Sequence, residues 1–142
     1  MDFNSPLEMK GRLTIALNDE VVREIDNLVV TTGKGYVASR MKDASATAMS
    51  HMAVGSGSTA AAASDTALGS EAARIALTST TVSGADVTYV ATFGAGVGTA
   101  ALTEAAILNA SSSGTMLCRT VFPVVNKQST DSMSVTWVVT AS

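Results

Sequence analysis

Met133-Ser134-Val135-Thr136-Trp137-Val138-Val139 alternates large apolar side chains with hydroxyls. Successive side chains of a strand point to opposite faces, so Met133, Val135, Trp137 and Val139 share one face and Ser134, Thr136 and Val138 the other. From Ala73 to Thr140 the same texture recurs, with β-branched and large apolar residues at alternate positions among small residues and hydroxyls. Such a pattern describes a packed β-sheet surface and points to a structural or interaction protein.

Working back from this strand, residues 126–131 form a polar loop and residues 115–122 an extended segment. In that segment Met116, Cys118, Thr120 and Phe122 share one face, and Leu117, Arg119 and Val121 the other. Pro123 disfavours continuation of a central strand because it has no backbone N–H. Residues 109–114 read as a turn, and Leu102 to Leu108 as either a strand or a single helical turn. Residues 74–80, with Ile75 and Leu77 inward, are expected to form a hairpin with residues 87–93 through a turn at 82–86. Val87, Tyr89, Ala91 and Phe93 then share a face.

The first part of the chain is less regular. Leu13, Ile15 and Leu17 line one face of a half-buried strand, Asn18-Asp19-Glu20 supplies a turn, and residues 21–30 return as a second extended segment. Thr32 and Gly33 punctuate the chain before Tyr36-Val37-Ala38-Ser39-Arg40-Met41. There Val37 and Met41, four apart, are expected to face the core from a short helix, with a β reading open. His51-Met52-Ala53-Val54 reads as a short strand closed by Gly55-Ser56-Gly57-Ser58. Residues 59–70, mostly Ala, Ser and Thr, carry too little apolar bulk for a core of their own and read as a long surface loop.

About eight short strands separated by turns indicate an all-β, single-domain β-sandwich, jelly-roll-like, with at most one or two short helices. The domain is expected to span residues 11–142, preceded by an N-terminal arm of residues 1–10 whose apolar anchors, Leu7 and Met9, dock on a neighbour. A chain of 142 residues with 46% hydrophobic residues suffices for one core. Unpaired edges of such a sheet favour self-association or docking onto another protein.

Charged residues make up 15% of the chain, well below the roughly 25% of ordinary soluble domains. The surface is therefore expected to be coated in Ser and Thr or partly covered by neighbours. A net charge of −3 gives no general attraction to polyanions, so nucleic acid is not an expected partner. Lys34, Arg40 and Lys42 form a small basic cluster that reads as a solvated face. No apolar stretch is long enough to span a bilayer, and the first twenty residues lack the pattern of a signal peptide.

The sequence suggests no catalytic, cofactor-binding or metal-binding residues. His51 is the only imidazole, no Gly-x-Ser-x-Gly elbow surrounds a serine, and one Cys and one His are too few for a zinc site within one subunit. Asp19, Glu20, Asp43, Asp65 and Glu71 do not form an alternating calcium loop. Cys118 reads as a small buried hydrophobe. The glycine runs Gly33-Lys34-Gly35, Gly55-Ser56-Gly57 and Gly94-Ala95-Gly96-Val97-Gly98 lack the order of a phosphate loop and read as sites of positive φ or close backbone approach. Glu71, Glu104, Arg74 and Arg119 interrupt an otherwise neutral region and are expected to form salt bridges or rim contacts. Trp137 is the expected core anchor, and no small-molecule substrate is expected.

In His51-Met52-Ala53-Val54-Gly55-Ser56-Gly57, Leu102-Thr103-Glu104-Ala105-Ala106-Ile107-Leu108-Asn109-Ala110, Met116-Leu117-Cys118-Arg119-Thr120-Val121-Phe122 and Val135-Thr136-Trp137, the chain resembles capsid decoration, or cement, proteins of short-tailed bacteriophages. It is similar also to small tail-fibre and baseplate β modules. The resemblance implies a non-enzymatic virion protein on the outer capsid surface, present in the host cytoplasm during assembly. It further implies jelly-roll-like domains, dimeric or trimeric, that bridge neighbouring major capsid protein subunits and stabilise the shell.

Overall fold

A computed structural model describes residues 8–43 and 45–141. It is an all-antiparallel β structure with one helix among the described residues. In chain order the elements are β1 (Met9–Leu17), β2 (Glu20–Val29), α1 (Thr31–Lys42), β3 (His51–Gly55), β4 (Glu71–Ala76), β5 (Ser79–Ser83), β6 (Asp86–Phe93), β7 (Ala100–Leu108), β8 (Met116–Lys127) and β9 (Met133–Ala141). They form one nine-stranded sheet in the order β4-β3-β7-β8-β2-β1-β9-β6-β5, which curls into a half-barrel.

The curl follows from two chain features. β2 pairs with β1 from Glu20 to Asn27 and then crosses to β8 through Leu28 and Val29, joining the two halves of the sheet. β4 and β5 are consecutive in sequence yet lie at opposite edges, joined only by Leu77 and Thr78. Leu77 N–H donates to Ser50 O (2.9 Å) beside β3, and Thr78 N–H donates to Val90 O (2.7 Å) in β6. The expected single strand over residues 74–80 is thus two strands. The hairpin partner of β6 is β5, with Val82, Ser83 and Asp86 inside the strands and Gly84-Ala85 as the loop.

Alternation sets the packing in the half built from β1, β9 and β6. Leu13, Trp137 and Tyr89 stand in one row across three strands, Ile15, Val135 and Ala91 in the next, and Leu17, Met133 and Phe93 in a third. Trp137, Phe93, Leu13, Ile15, Val135 and Met133 are fully buried, as the 133–139 pattern predicts. β1 and β2 are joined by Asn18-Asp19 with φ of 50° and 67°, the left-handed conformation that a type I′ hairpin loop requires and that Asn and Asp tolerate.

In the other half, most of β3, residues 104–108 of β7 and residues 116–120 of β8 are buried on both faces. The inner row Ile75, Met52, Ile107, Cys118 and Val29 belongs to the main core. Ala53, Ala106, Leu108, Met116 and Val30 form a second cluster behind it, with Leu68 packed against them. Met116 therefore does not share a face with Cys118: the ladder skips Leu117, pairing Ile107 with Cys118 and Leu108 with Met116, and this bulge turns Met116 to the back. β7 is a strand throughout Ala100–Leu108 rather than a helical turn.

β8 also runs through Pro123. The register to β7 shifts between Leu102 and Glu104, and on the other side β2 has left for β1, so no ladder bond is asked of the proline nitrogen. The Arg23 guanidinium occupies this gap, donating to Pro123 O (3.0 Å) and Val124 O (2.7 Å).

α1 is longer than the sequence suggests because Thr32 and Gly33 lie inside it. A Cβ on Gly33 would sit 2.1 Å from Leu117 O, so only glycine lets the helix approach β8 so closely. Tyr36 and Val37 pack on the core, and Tyr36 Oη accepts from Met49 N–H (3.2 Å). Met41, expected to face the core, is 79% exposed because the helix docks through the Gly33–Tyr36–Val37 side and its last turn overhangs. Of the expected arm, residues 1–7 lie outside the described residues. Met9 and Lys10 pair with Ala141 and Thr140, and Met9 packs against the core of its own chain.

Candidate interaction surface

The residues with chemical potential fall into separate places. His51 starts β3 half-buried, its Nδ1 2.8 Å from Ser50 Oγ. Ser50 itself is fixed by backbone bonds to Leu108 O and Leu77 N, so it is held in regular sheet surroundings rather than on a nucleophile elbow. Cys118 is fully buried, and desolvation pushes its thiol far above the ordinary value. Lys34, Arg40 and Lys42 all lie exposed on α1, where Arg40 Nη1 donates to Ala46 O (2.8 Å) and Lys42 pairs with Asp43 (2.9 Å). No group of three or more His, Cys, Asp or Glu side chains that could hold a metal occurs among the described residues.

Glu104 and Arg119 do come together, with Glu71 and Arg74 close by. β7 turns Glu104 and β8 turns Arg119 to the back of the sheet, and Arg119 Nη2 and Nε donate to Glu104 Oε1 at 2.9 and 3.2 Å. Residues 56–70 cross above them. Gly57 and Ser70 N–H each donate to Glu104 Oε2 at 2.7 Å, and Gly69 N–H donates to Oε1 at 2.8 Å. Arg119 also donates to Thr59 O (3.0 Å) and Asp65 Oδ2 (2.9 Å).

The expected surface loop is thus also a lid, pinned at both ends and in the middle by one buried ion pair. Gly57 is required there, since a Cβ would fall 2.5 Å from Glu104 Oε2. Burial alone pushes the Glu104 carboxyl up, but the Ser70 and Gly69 N–H groups, the Arg119 guanidinium and the Gly57 N–H together hold it below its ordinary value. Asp65, weighed in sequence only as a calcium ligand, is the member that sequence reasoning missed. Its signal is faint: a single acid in an Ala/Ser/Thr stretch.

These ions hold structure inside the protein. What remains outward is sheet edge and a face where hydroxyls lie beside the exposed Arg12–Asp26 and Arg12–Glu24 pairs of β1 and β2. The β4 edge carries the Glu71–Arg74 pair (2.8 Å), and Arg74 also donates to Ala110 O and Ser113 O, so that edge is charged and partly covered. The β5 edge, Ser79-Thr80-Thr81-Val82-Ser83, is exposed along its whole length and holds no charge, proline or bulge. Natural sheets usually guard edges with those devices, so β5 is the most receptive backbone surface of the described residues. The chain matches no family model, no curated protein and no solved structure.

Proposed function

We propose that this protein is a structural virion component that decorates a bacteriophage capsid and stabilises it by bridging major capsid protein subunits, acting as a homo-oligomer on the outer surface. In this reading the curled antiparallel sheet is a jelly-roll-like sandwich. The observation that carries it is the division of charge: the strongest ion cluster is used internally to fasten a lid, while the β5 edge stays neutral and open. Such a surface suits many repeated backbone and small-side-chain contacts, whose avidity on a regular shell exceeds their individual strength. The sequence resemblance to decoration proteins agrees with it.

A tail-fibre or baseplate module is the second reading, favoured by the same open edge. Imaging of intact particles separates the two: density over capsid junctions is expected, whereas density confined to the tail overturns the decoration reading. Failure of the purified protein to bind expanded shells counts against it equally.

A further inference from the structure

We propose that two copies of this chain pair antiparallel through β5 about a two-fold axis at Thr81. The interface would join their two sheets edge to edge. This deepens the oligomer part of the proposed function, but it concerns the isolated protein and stands or falls separately from any location in a particle.

Ser79-Thr80-Thr81-Val82-Ser83 has nearly the same character read in either direction. In an antiparallel pair centred on Thr81, Ser79 meets Ser83, Thr80 meets Val82 and Thr81 meets itself. An isologous contact needs this kind of self-complementarity, since each residue must accept its symmetry mate's partner. β5 pairs with β6 on one side only, so the N–H and C=O groups of alternate residues on its other side have no strand to bond. Pairing with a second β5 satisfies them.

Side-chain placement is compatible as well. Thr81 lies opposite Thr88, and Thr80 opposite the buried Tyr89, so Thr81, Ser79 and Ser83 face outward while Thr80 and Val82 lie on the concave side. Val82, 69% exposed, would be covered by Thr80 of the second copy. Asp86 is the sole charged residue of the β5–β6 hairpin, and the antiparallel arrangement sends the two copies of it to opposite ends of the interface. No like charges meet. A second copy is therefore a better occupant than a charged peptide, for which this edge offers no counter-charge.

A five-residue edge buries less than the roughly 1,200 Å² of a standard stable interface, so pairing is weak in dilute solution and grows where copies are held side by side. Edge pairing of this kind closes at two copies and yields a dimer, not a trimer.

Sedimentation of the full chain from about 1 µM to about 1 mM tests it, a span of roughly 4 kcal/mol in association free energy. Wild type is expected to pass from monomer to dimer. Thr81→Lys and Thr81→Glu place like charges across the axis, so each alone is expected to stay monomeric with an unchanged circular dichroism spectrum, while an equimolar mixture dimerises again. Wild type that remains monomeric throughout, wild type that forms trimers, single variants that dimerise like wild type, or a mixture that fails to recover dimers would each overturn the proposal. If a variant loses its native spectrum, Thr81→Cys replaces it. Oxidation is then expected to join two copies through a disulfide between the introduced thiols, and absence of that cross-linked dimer overturns the proposal.

Discussion

Glu104→Ala removes the acceptor of five hydrogen bonds, three from the backbone of residues 57, 69 and 70 and two from Arg119. Taking one member from a buried ion pair costs about 3–5 kcal/mol, because the other charge is left without its counterpart. Here Arg119 keeps Asp65 at 2.9 Å and Thr59 O at 3.0 Å, and the three N–H groups regain water if the lid lifts. Both effects place the expected loss at the lower end, about 3 kcal/mol.

With an m-value of about 2 kcal/mol/M, that loss lowers the urea midpoint by about 1.5 M. The chain has a single tryptophan, Trp137, which reports the transition from the centre of the core. Limited proteolysis supplies the local readout, with faster cutting expected within residues 59–68 of the variant. The paired replacement Glu104→Leu with Arg119→Met leaves no orphaned charge and is expected to cost less than the two single changes added together. A midpoint within about 0.3 M of wild type, with the lid cut no faster, would refute the idea that this cluster fastens the lid.

Acid should act on the same cluster. The Glu104 carboxyl is held below its ordinary value of 4.5, so its contribution is complete above that pH and is lost as pH falls through the lower, folded-state value. Stability measured by urea titration is expected to fall below about pH 4.5 in wild type and to fall less steeply in Glu104→Gln. Gly33→Ala drives a Cβ to 2.1 Å from Leu117 O and is expected to destabilise by about 1–3 kcal/mol as α1 shifts off β8. Gly35→Ala, with nothing within 4 Å, should stabilise by up to about 1 kcal/mol, and thermal melts of the two variants compare them directly. Cys118 should resist an aromatic disulfide reagent in native buffer and react once urea exposes it, as burial keeps its thiol protonated.

Residues 133–139 disclosed their structure because one face is buried and the other is not, the condition under which alternation is visible. Most of β3, residues 104–108 of β7 and residues 116–120 of β8 are covered on both faces, so alternation is lost there and β7 resembled a helix as much as a strand. The bulge at Leu117 and the crossing of β2 are decided by partners far away in sequence, and no local pattern marks them. α1 was legible only in its middle, since Gly33 is chosen for what it touches rather than for helix propensity. Sequence identified Glu104 and Arg119 as pairing residues but not their burial. Asp65 and the amides of Gly57, Gly69 and Ser70 join them only once residues 56–70 fold back over the sheet.

Laid flat, nine strands about 4.8 Å apart would separate the outermost pair by roughly 38 Å. The covalent path from Ala76 to Ser79 is three Cα steps, at most about 11 Å. Leu77 and Thr78 therefore act as a clasp, and curvature here is a tether constraint as well as a product of strand twist. Tension applied to one rim reaches the other through two residues, so a load on β5 is delivered to β4 and, through Glu71 and Ser70, to the fastening beneath the lid. Ile75, Leu77 and Val87 pack on the same core as Tyr89, so the clasp and the shared core hold the two rims together.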